Sequence, residues 1–335
     1  MPSEHASAEV NPRAILEMAT AFQRSRILLT AYELGLFTVL TDESQTSAEV
    51  AEALETDPRA TDRLMNALVV LGLLEKRNGR FSNTPAGAEL LVKGRPDYMA
   101  GLQHTVHLWE TWSTMTDAVR RGRSSTRPEV NDRGDAWLRA FIAAMHYRAR
   151  PQAPQIVAEI DLAGVSRVLD VGGGSGAFAM AFVRAATGIS AVVFDLPNVL
   201  PLARSYIESE GFAAQVTVAA GDYLHDDLGS GFDLVFLSAI VHSNSEAENR
   251  RLIQKAAAAL EPGGQVVVVD WIMNDERTEP AQGALFALNM LVGTEAGDTY
   301  TETEVRSWMT DAGLSRIVRK DAPVGTSLVI GRKAR

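Results

Sequence analysis

Apolar residues are spaced differently in the two halves of the chain. In the first half they recur every three or four positions, as at Ile15, Leu16, Met18 and Phe22, which is the spacing of a helix with one broad apolar face. We therefore predict helices over residues 14–40. Such a face at the start of the chain needs a covering surface, which is either the chain's own core or a second copy of it.

Residues 46–85 contain a compact series of signals for helix starts and one turn. The capping sequences predict three short helices, and an Asn-Gly pair between two β-rich runs predicts a two-residue hairpin. In chain order the signals are Thr46 with Glu49, Asp57-Pro58, Asn78-Gly79 and Thr84-Pro85. Helices followed by such a hairpin are the plan of a winged-helix domain, which we place at residues 1–98.

The charge of this segment argues against DNA binding, the obvious function of a winged helix. Residues 1–100 carry 10 basic and 14 acidic side chains, a net charge of −4. In the helix that would enter the groove, Arg59 and Arg63 stand beside Asp57 and Asp62. No basic surplus is left to neutralise phosphates, so we expect an assembly domain and no nucleic-acid partner.

Residues 99–160 are predicted to form bridging helices with a polar interruption at 121–133. They contain aromatic and methionine residues at helical spacing, namely Trp109, Trp112, Met115, Trp137, Phe141 and Met145. This pattern fits either plain core packing or the wall of an apolar pocket for a small molecule. Both interpretations stay open on these residues alone.

From residue 161 onward, short β-rich runs alternate with helical stretches. The runs are 167–171, 190–195, 215–219, 234–238 and 265–271, and the helical stretches are 177–186, 199–210 and 246–260. The alternation predicts an α/β domain over 161–335, with a doubly wound, Rossmann-like parallel sheet between two layers of helices. Two further runs, 315–320 and 326–330, predict an antiparallel hairpin at the end of the sheet.

The composition narrows the classes of function. The chain of 335 residues has no cysteine, which excludes disulfides, thiolate metal sites and a cysteine nucleophile. Its 32 basic and 42 acidic residues give a net charge of −10, which disfavours nucleic acids as partners. The apolar runs are too short to span a membrane, and the first residues lack the pattern of a signal peptide. We therefore expect a cytoplasmic protein that does not bind membranes.

A glycine-rich loop follows the first strand of the second half and opens a helix. Gly172, Gly174 and Gly176 allow a tight turn and a close approach of the backbone to a ligand. Asp195 ends the next strand, 23 residues after Gly172, where a carboxylate can accept hydrogen bonds from both ribose hydroxyls of an adenosine. The order of strand, loop, helix, strand and acid fits two cofactors, NAD and S-adenosylmethionine.

Three features favour S-adenosylmethionine. Asp170 lies two residues before the first glycine, where it can engage a cationic amino-acid group directly or through the loop. Asp222 follows the third strand, where it can accept a hydrogen bond from the adenine amine or merely cap the loop. The antiparallel hairpin at the end is more usual in methyltransferases than in dehydrogenases. An NAD-dependent dehydrogenase remains the alternative on these residues.

Together these motifs resemble the class I S-adenosylmethionine-dependent O-methyltransferases that act on small molecules. The similarity covers nearly the whole chain and is to the enzymes of bacterial secondary metabolism, relatives of the plant caffeic-acid, hydroxyneurosporene and anthracycline types. It rests on 169–176, Phe-Asp-Leu-Pro at 194–197, Gly-Asp-Tyr at 221–223 and the segment 232–242. The resemblance implies a homodimer formed by the helical domain and S-adenosylhomocysteine as a product. We expect no metal, because the sequence lacks the acid–acid–Asn cluster typical of the magnesium-dependent catechol type. The resemblance also implies cofactor contacts from Leu196, Tyr223 and Ser238.

His242 is the candidate general base among six histidines. It follows the fourth strand, at the carboxyl edge where doubly wound sheets place their chemistry. A phenol or alcohol must lose its proton to attack a methyl group, and an imidazole, which titrates near neutral pH, suits that role. Asp270 ends the fifth strand and matches the acid that orients the histidine in the family. A carboxylate there would fix the tautomer of the ring.

The chain departs from the family immediately after this histidine. Where the family has His-Asp-Trp, this sequence has His242, Ser243 and Asn244, which removes an acid and a large aromatic side chain beside the base. The change leaves open the contacts of this stretch with the cofactor, and also the substrate class. Ser245 and Glu248 form a capping box for the next helix, so part of the change from the family sequence serves the start of that helix.

The resemblance implies that five residues contact the acceptor molecule, although each could equally be part of the core. They correspond to the aromatic and methionine walls of the family's pocket and to its pocket helix, and they are Trp109, Phe141, Met145, Asn289 and Met290. His146, which neighbours Met145, is a further candidate for a polar contact with the acceptor.

The predicted function is therefore methylation of a hydroxyl group, expected to be aromatic, on a small natural product. C- or N-methylation is the alternative within the enzyme class. A winged-helix regulator that senses S-adenosylmethionine is the alternative outside it.

Overall fold

The computed structural model describes residues 11–41, 43–125, 134–322 and 325–335. They form two compact units, one that ends at Val106 and one that begins at His107. Most of the polar interruption expected at 121–133 lies outside the described residues.

The N-terminal unit is mainly helical. Its elements are α1 (Pro12–Thr20), α2 (Phe22–Glu33), α3 (Leu36–Val39), β1 (Gln45–Thr46), α4 (Ser47–Ala53), α5 (Pro58–Val70), β2 (Leu74–Arg77), β3 (Arg80–Asn83), α6 (Pro85–Leu90) and the start of α7 (Leu102–Trp112). The strands pair antiparallel in the order β1-β3-β2. The predicted winged-helix plan is confirmed.

Local signals in the sequence produce these elements. The side chain of Thr46 accepts a hydrogen bond from the backbone of Glu49, and the Glu49 carboxylate accepts one from Thr46 N, which completes the capping box of α4. Asn78 and Gly79 both have a positive φ, 51° and 77°, as a type I′ hairpin turn requires. These predictions are confirmed at the level of single hydrogen bonds and dihedral angles.

Helix α1 is amphipathic but contributes nothing to the core of its unit. None of its residues is buried, and Ile15, Leu16 and Met18 are 55%, 66% and 73% exposed. The core lies instead among α2, α3, α5 and the hairpin, where fully buried residues include Leu36, Phe37, Met65, Leu68 and Phe81. Within the described part of this unit, the apolar face of α1 is therefore left uncovered.

The C-terminal unit alternates strands and helices. Its elements are α8 (Met115–Arg121), α9 (Asp135–Ala158), β4 (Arg167–Val171), α10 (Ala177–Ala185), β5 (Ser190–Asp195), α11 (Leu200–Ser209), β6 (Val216–Ala220), β7 (Phe232–Ser238), α12 (Glu246–Ala259), β8 (Leu260–Asp270), α13 (Ala281–Gly293), α14 (Glu302–Asp311), β9 (Ser315–Asp321) and β10 (Ser327–Arg332). A short 3-10 turn, Val241–Ser243, lies between β7 and α12.

The seven strands form one sheet in the order β6-β5-β4-β7-β8-β10-β9. The first five are parallel, and β10 runs antiparallel to both of its neighbours. The chain builds outward from β4 to β6 and then returns to place β7 beside β4, so the topological switch point lies between β4 and β7. Ligand sites of doubly wound sheets lie at the carboxyl ends of strands at such a point. The predicted α/β fold and its terminal hairpin are confirmed.

Both faces of the sheet are buried, as in parallel sheets generally. Along β7, Leu234 and Phe236 pack toward α9 and α10, and Val235 and Leu237 pack toward α12 and α14. Strand β8 begins earlier than the sequence suggests, because Gly263 N donates to Ala334 O and Lys333 N donates to Gly264 O. Residues 262–264, between the predicted helix 246–260 and the predicted strand 265–271, are therefore part of the strand. Among the described residues, no helix is long and apolar enough to cross a membrane.

Candidate active site

The sheet gathers several of the predicted site residues along its carboxyl edge. Asp195, Ser238 and Asp270 are the last residues of β5, β7 and β8, and Asp170 is the last but one of β4. Leu196 follows Asp195 and packs against the small cluster of Leu138, Ile142 and Val199. The residues predicted for the cofactor and for catalysis thus lie on adjacent strands on both sides of the switch point.

The loop between β4 and α10 depends on its glycines. Gly172, Gly174 and Gly176 have φ of 63°, 56° and 76°, a region that residues with a side chain rarely adopt. A Cβ on Gly172 would lie 2.3 Å from Cδ1 of Ile240, so the loop also needs glycine for space. The loop leads directly into the N-terminus of α10, where backbone N–H groups can approach a ligand closely.

Asp195 ties this loop to the neighbouring strand. Its Oδ2 accepts a hydrogen bond from Gly174 N at 2.8 Å, and its Oδ1 accepts one from Leu196 N at 2.7 Å. Burial raises the pKa of the Asp195 carboxyl to about 6, although these two N–H groups oppose the shift. The carboxylate is well placed to accept hydroxyl donors from a ligand in the loop, and such donors would favour its ionised form.

Asp170 lies beneath the same loop. It is buried and accepts a hydrogen bond from Ala179 N in α10 at 3.2 Å, and a Cβ on Gly173 would lie 2.7 Å from its carboxyl carbon. Burial raises the pKa of Asp170 to about 7, and the charge of Asp195 adds to the shift. An acid in this position can favour a cationic ligand group through the loop.

The end of β6 leads into a second turn of the site. A Cβ on Gly221 would lie 2.2 Å from Cζ of Phe194, so only glycine fits there. Asp222 accepts a hydrogen bond from Leu224 N at 2.8 Å, and its Oδ2 lies 2.8 Å from Nδ1 of His225. Burial alone would raise the pKa of Asp222, but these contacts outweigh it and lower the pKa. The contacts stabilise the loop, and the adenine contact of Asp222 stays a prediction.

His242 and Asp270 form a hydrogen-bonded pair at the ends of β7 and β8. Nδ1 of His242 lies 2.9 Å from each carboxylate oxygen of Asp270, whose Oδ1 also accepts a hydrogen bond from Trp271 N at 2.8 Å. The side chains of His242 and Asp270 are 13% and 4% exposed. A carboxylate on Nδ1 selects the tautomer with the proton on that nitrogen, which leaves the lone pair on Nε2.

Two neighbours of His242 were not identified from the sequence. The ring of Phe286, on α13, meets the imidazole edge to face at 4.8 Å. A Cβ on Gly297 would lie 2.4 Å from the backbone oxygen of His242. The resemblance to the family pointed to this helix as part of the pocket but did not single out Phe286, and nothing in the sequence placed Gly297 beside the histidine.

Among the predicted acceptor contacts, Asn289 and Phe141 have clear partners. Asn289 Oδ1 accepts a hydrogen bond from the indole of Trp112 at 2.9 Å, which joins α13 to the end of α7. Phe141 stacks on Trp137 within α9, with ring centroids 5.1 Å apart. Of the others, Met290 is buried, Met145 is partly buried and Trp109 is 36% exposed. Their contact with an acceptor stays a prediction.

His146 packs against the glycine loop from α9. Its Nδ1 lies 2.9 Å from Oγ of Ser175, its ring stacks on Tyr206 at 4.0 Å, and its Nε2 lies 3.7 Å from Glu210. Burial lowers the pKa of His146, and the charge of Glu210 opposes the shift. Both ring nitrogens thus face protein groups, and a contact of His146 with the acceptor stays a prediction. The described residues hold no group of three or more His, Asp or Glu placed to bind a metal ion.

Comparison with known proteins assigns both units. Residues 16–93 match the O-methyltransferase dimerisation domain, and residues 112–315 match the O-methyltransferase domain. The chain is 35% identical over 336 residues to a 3-hydroxy-5-methyl-1-naphthoate 3-O-methyltransferase of Streptomyces sahachiroi, with 96% of each chain covered. It is 30% identical to the N,N-dimethyltransferase OxyT of Streptomyces rimosus, also with 96% of each covered.

The fold comparison agrees with the sequence comparison. The structure of an O-methyltransferase family protein from Burkholderia thailandensis superposes with a TM-score of 0.86 and 26% identity, and the match covers 98% of this chain and 99% of that one. None of the matches described above is a dehydrogenase or a regulator. The chain therefore belongs to the O-methyltransferase family and is an S-adenosylmethionine-dependent O-methyltransferase with its own dimerisation domain.

Proposed function

We propose that this enzyme methylates an aromatic hydroxyl of a small natural product, with His242 as the general base. The observation that carries the proposal is the buried hydrogen-bonded pair of His242 and Asp270 at the carboxyl edge of the sheet. The similar Streptomyces enzyme is named for a 3-O-methylation of a hydroxynaphthoate, which supports an aromatic acceptor.

The geometry of the pair supports these roles. His242 takes the proton of the acceptor hydroxyl on Nε2, the nitrogen that Asp270 does not engage. The imidazole becomes cationic, and the carboxylate of Asp270 stabilises that charge in a site with little solvent. Phe286 shields one edge of the ring. S-Adenosylmethionine supplies an electrophilic methyl group on a sulfonium, so the protein's main tasks are to orient the acceptor and accept its proton.

The residues of the carboxyl edge fit an adenosyl cofactor. The positive φ of Gly172, Gly174 and Gly176 gives a tight glycine turn ahead of α10, which allows a close approach of the backbone to the cofactor. The raised pKa of Asp170, about 7, and that of Asp195, about 6, suit a cationic ligand, since its charge offsets the cost of burying two acids. We assign the binding of S-adenosylmethionine to these residues together with Leu196, Asp222, Tyr223 and Ser238.

We further propose that three segments of the chain have different roles. Residues 1–98 form a homodimer through the exposed apolar face of α1, residues 99–160 bridge the two parts, and residues 161–335 bind the cofactor. The acceptor is held by apolar walls and polar contacts from the bridging helices and from α13. The residues assigned to this role are Trp109, Phe141, Met145, His146, Asn289 and Met290.

N-methylation is the second candidate, because a relative with 30% identity is named an N,N-dimethyltransferase. An uncharged amine already carries a free lone pair, so a base would matter less for that reaction than for a phenol. Incubation with labelled S-adenosylmethionine and matched panels of phenols and aromatic amines separates the two. We expect label in the phenols, and transfer only to amines would overturn the O-methylation proposal for this chain.

A further inference from the structure

A buried chain of polar side chains lies beneath the turn that carries His242. Asn249, in the first part of α12, is fully buried, and Asn244 is 4% exposed. Tyr223 donates its hydroxyl hydrogen to Oδ1 of Asn244 at 3.1 Å, and Nδ2 of Asn244 donates to Oδ1 of Asn249 at 3.2 Å. Nδ2 of Asn249 in turn donates to the backbone oxygen of Val241 at 2.8 Å. Three side chains thus form one continuous path.

One end of this path fixes the peptide that precedes His242. The oxygen of Val241 belongs to the peptide bond that joins Val241 to His242, so the hydrogen bond from Asn249 restrains the plane of that peptide. On the far side of the histidine, Tyr300 donates its hydroxyl hydrogen to the backbone oxygen of Asn244 at 2.5 Å. The 3-10 turn, Val241–Ser243, is therefore held before and after His242 by groups that reach it from other elements.

The other end of the path lies among the residues assigned to the cofactor. Tyr223 follows Asp222, and its Cε1 lies 3.8 Å from the place where a Cβ on Gly172 would stand. Burial raises the pKa of the Tyr223 hydroxyl, and the nearby charges of Asp195 and Asp222 add to the shift. The phenol therefore stays protonated and can serve as a constant hydrogen-bond donor to Asn244.

We propose that Asn244 and Asn249 are positioning residues that hold His242 against Asp270. They also couple the 3-10 turn that carries His242 to Tyr223, which lies beside the glycine loop. The proposal rests on the assigned role of His242 as the general base. It also accounts for the departure from the family's His-Asp-Trp. An amide both donates and accepts hydrogen bonds, as the place of Asn244 between Tyr223 and Asn249 requires, whereas an indole only donates.

A spectroscopic readout tests positioning without reference to activity. The proton on Nδ1 of a histidine bonded to a carboxylate gives a separate low-field proton NMR signal, and its loss in His242→Ala assigns it. We expect Asn249→Ala to shift or broaden this signal, because the peptide before His242 loses its restraint. Ile253→Val, in the buried face of the same helix, is the control for general destabilisation and is expected to leave the signal unchanged.

Kinetics supply the second readout. Asn249→Ala removes two buried hydrogen bonds, one to the Val241 oxygen and one from the Asn244 amide. These groups keep only their longer contacts, 3.3 Å to Asn244 N and 3.4 Å to Ile240 O. The loss of two such bonds corresponds to about 10- to 100-fold in an equilibrium or rate. We expect kcat to fall by about that factor while the KM for the acceptor changes little. Tyr223→Phe removes a single hydroxyl and keeps the ring. It therefore tests the positioning role even if Asn249→Ala does not fold. We expect it to shift the same NMR signal and to lower kcat by about 3- to 10-fold.

The outcomes separate this proposal from the one it rests on. An unmoved NMR signal in both variants, with kcat no lower than in Ile253→Val, would overturn the positioning role. If His242→Ala kept full activity, the assignment of His242 as the general base would fail. The coupling would still stand if Asn249→Ala and Tyr223→Phe, each made in protein that retains His242, moved the NMR signal.

Discussion

The carboxylate of Asp195 accepts a hydrogen bond from the backbone of Gly174 at 2.8 Å and so joins the end of one strand to the loop that follows its neighbour. The contact puts the acid and the glycine loop in one place before any ligand arrives. Since burial raises the pKa of this carboxyl to about 6, we expect its charge to change in the mildly acidic range, and the proposed cofactor binding to change with it.

We expect the affinity for S-adenosylhomocysteine to fall as the pH is lowered from 7 to 5. The raised pKa of Asp195, about 6, means that the carboxylate is ionised above that pH and protonated below it, and only the ionised form accepts two hydroxyl donors. The expected loss is up to about tenfold per pH unit below the pKa. Isothermal titration measures it. In Asp195→Asn the affinity should be weak and its dependence on pH reduced, and an unaltered dissociation constant would contradict the assignment of Asp195.

Gly172→Ala should damage the glycine loop between β4 and α10 through backbone strain and through a clash of the new Cβ. A matched variant, Gly164→Ala, separates these two effects. The substitution at Gly172 strains a backbone with φ of 63° and drives a Cβ to within 2.3 Å of Ile240. Gly164 also has a positive φ, 78°, but a Cβ added there would have no other atom within 4 Å. Both variants should lose about 1–3 kcal/mol of stability from backbone strain, and only Gly172→Ala should also lose cofactor affinity. Equal affinity in the two variants would show that the loop tolerates a side chain.

Asp270→Asn should nearly abolish transfer while leaving cofactor binding intact. An amide nitrogen in place of a carboxylate oxygen would donate to Nδ1 of His242 and move the ring proton to Nε2, where the base must be free. We expect kcat to fall by about 10²-fold or more, within the span of general acid–base catalysis. Single-turnover rates and the dissociation constant of S-adenosylhomocysteine are the measurements. A normal rate would mean that Asp270 only supports the fold.

The exposed face of α1 should be required for assembly. Leu16 and Met18 are among the most exposed apolar residues of this helix, and burying charged residues between two copies would be costly. The double variant Leu16→Glu with Met18→Glu is expected to be monomeric at micromolar concentration by light scattering. Val70→Glu places the same charge at an apolar residue that is 85% exposed and should remain dimeric. A double variant that remains dimeric would show that the dimer interface does not depend on this face of α1.

The sequence predicts most where a structure is determined locally. The Asn78-Gly79 turn and the capping boxes of Thr46 and Ser245 appear in the structure as predicted. Each depends on residues within four positions of one another. The alternation of strands and helices likewise follows from burial on both faces of the sheet.

Features that depend on distant partners were missed. The early start of β8 follows from hydrogen bonds to the last residues of the chain. The polar path through Asn244 joins the turn after β6, the His242 turn and α12, and a single Asn in a loop gives no sign of such partners. The contacts of His146 with Ser175, in the glycine loop, and with Tyr206, on α11, also join distant parts of the chain, and its contact with the acceptor stays a prediction.

The most direct test of the central claim is the rate of methyl transfer by His242→Ala, measured with one phenolic acceptor across pH 6–9. We predict a loss of about 10²- to 10⁴-fold, disappearance of the pH dependence that comes from protonating the base, and unchanged binding of S-adenosylhomocysteine. Transfer to the same acceptor at the wild-type rate over that range would contradict the role of His242 as the general base.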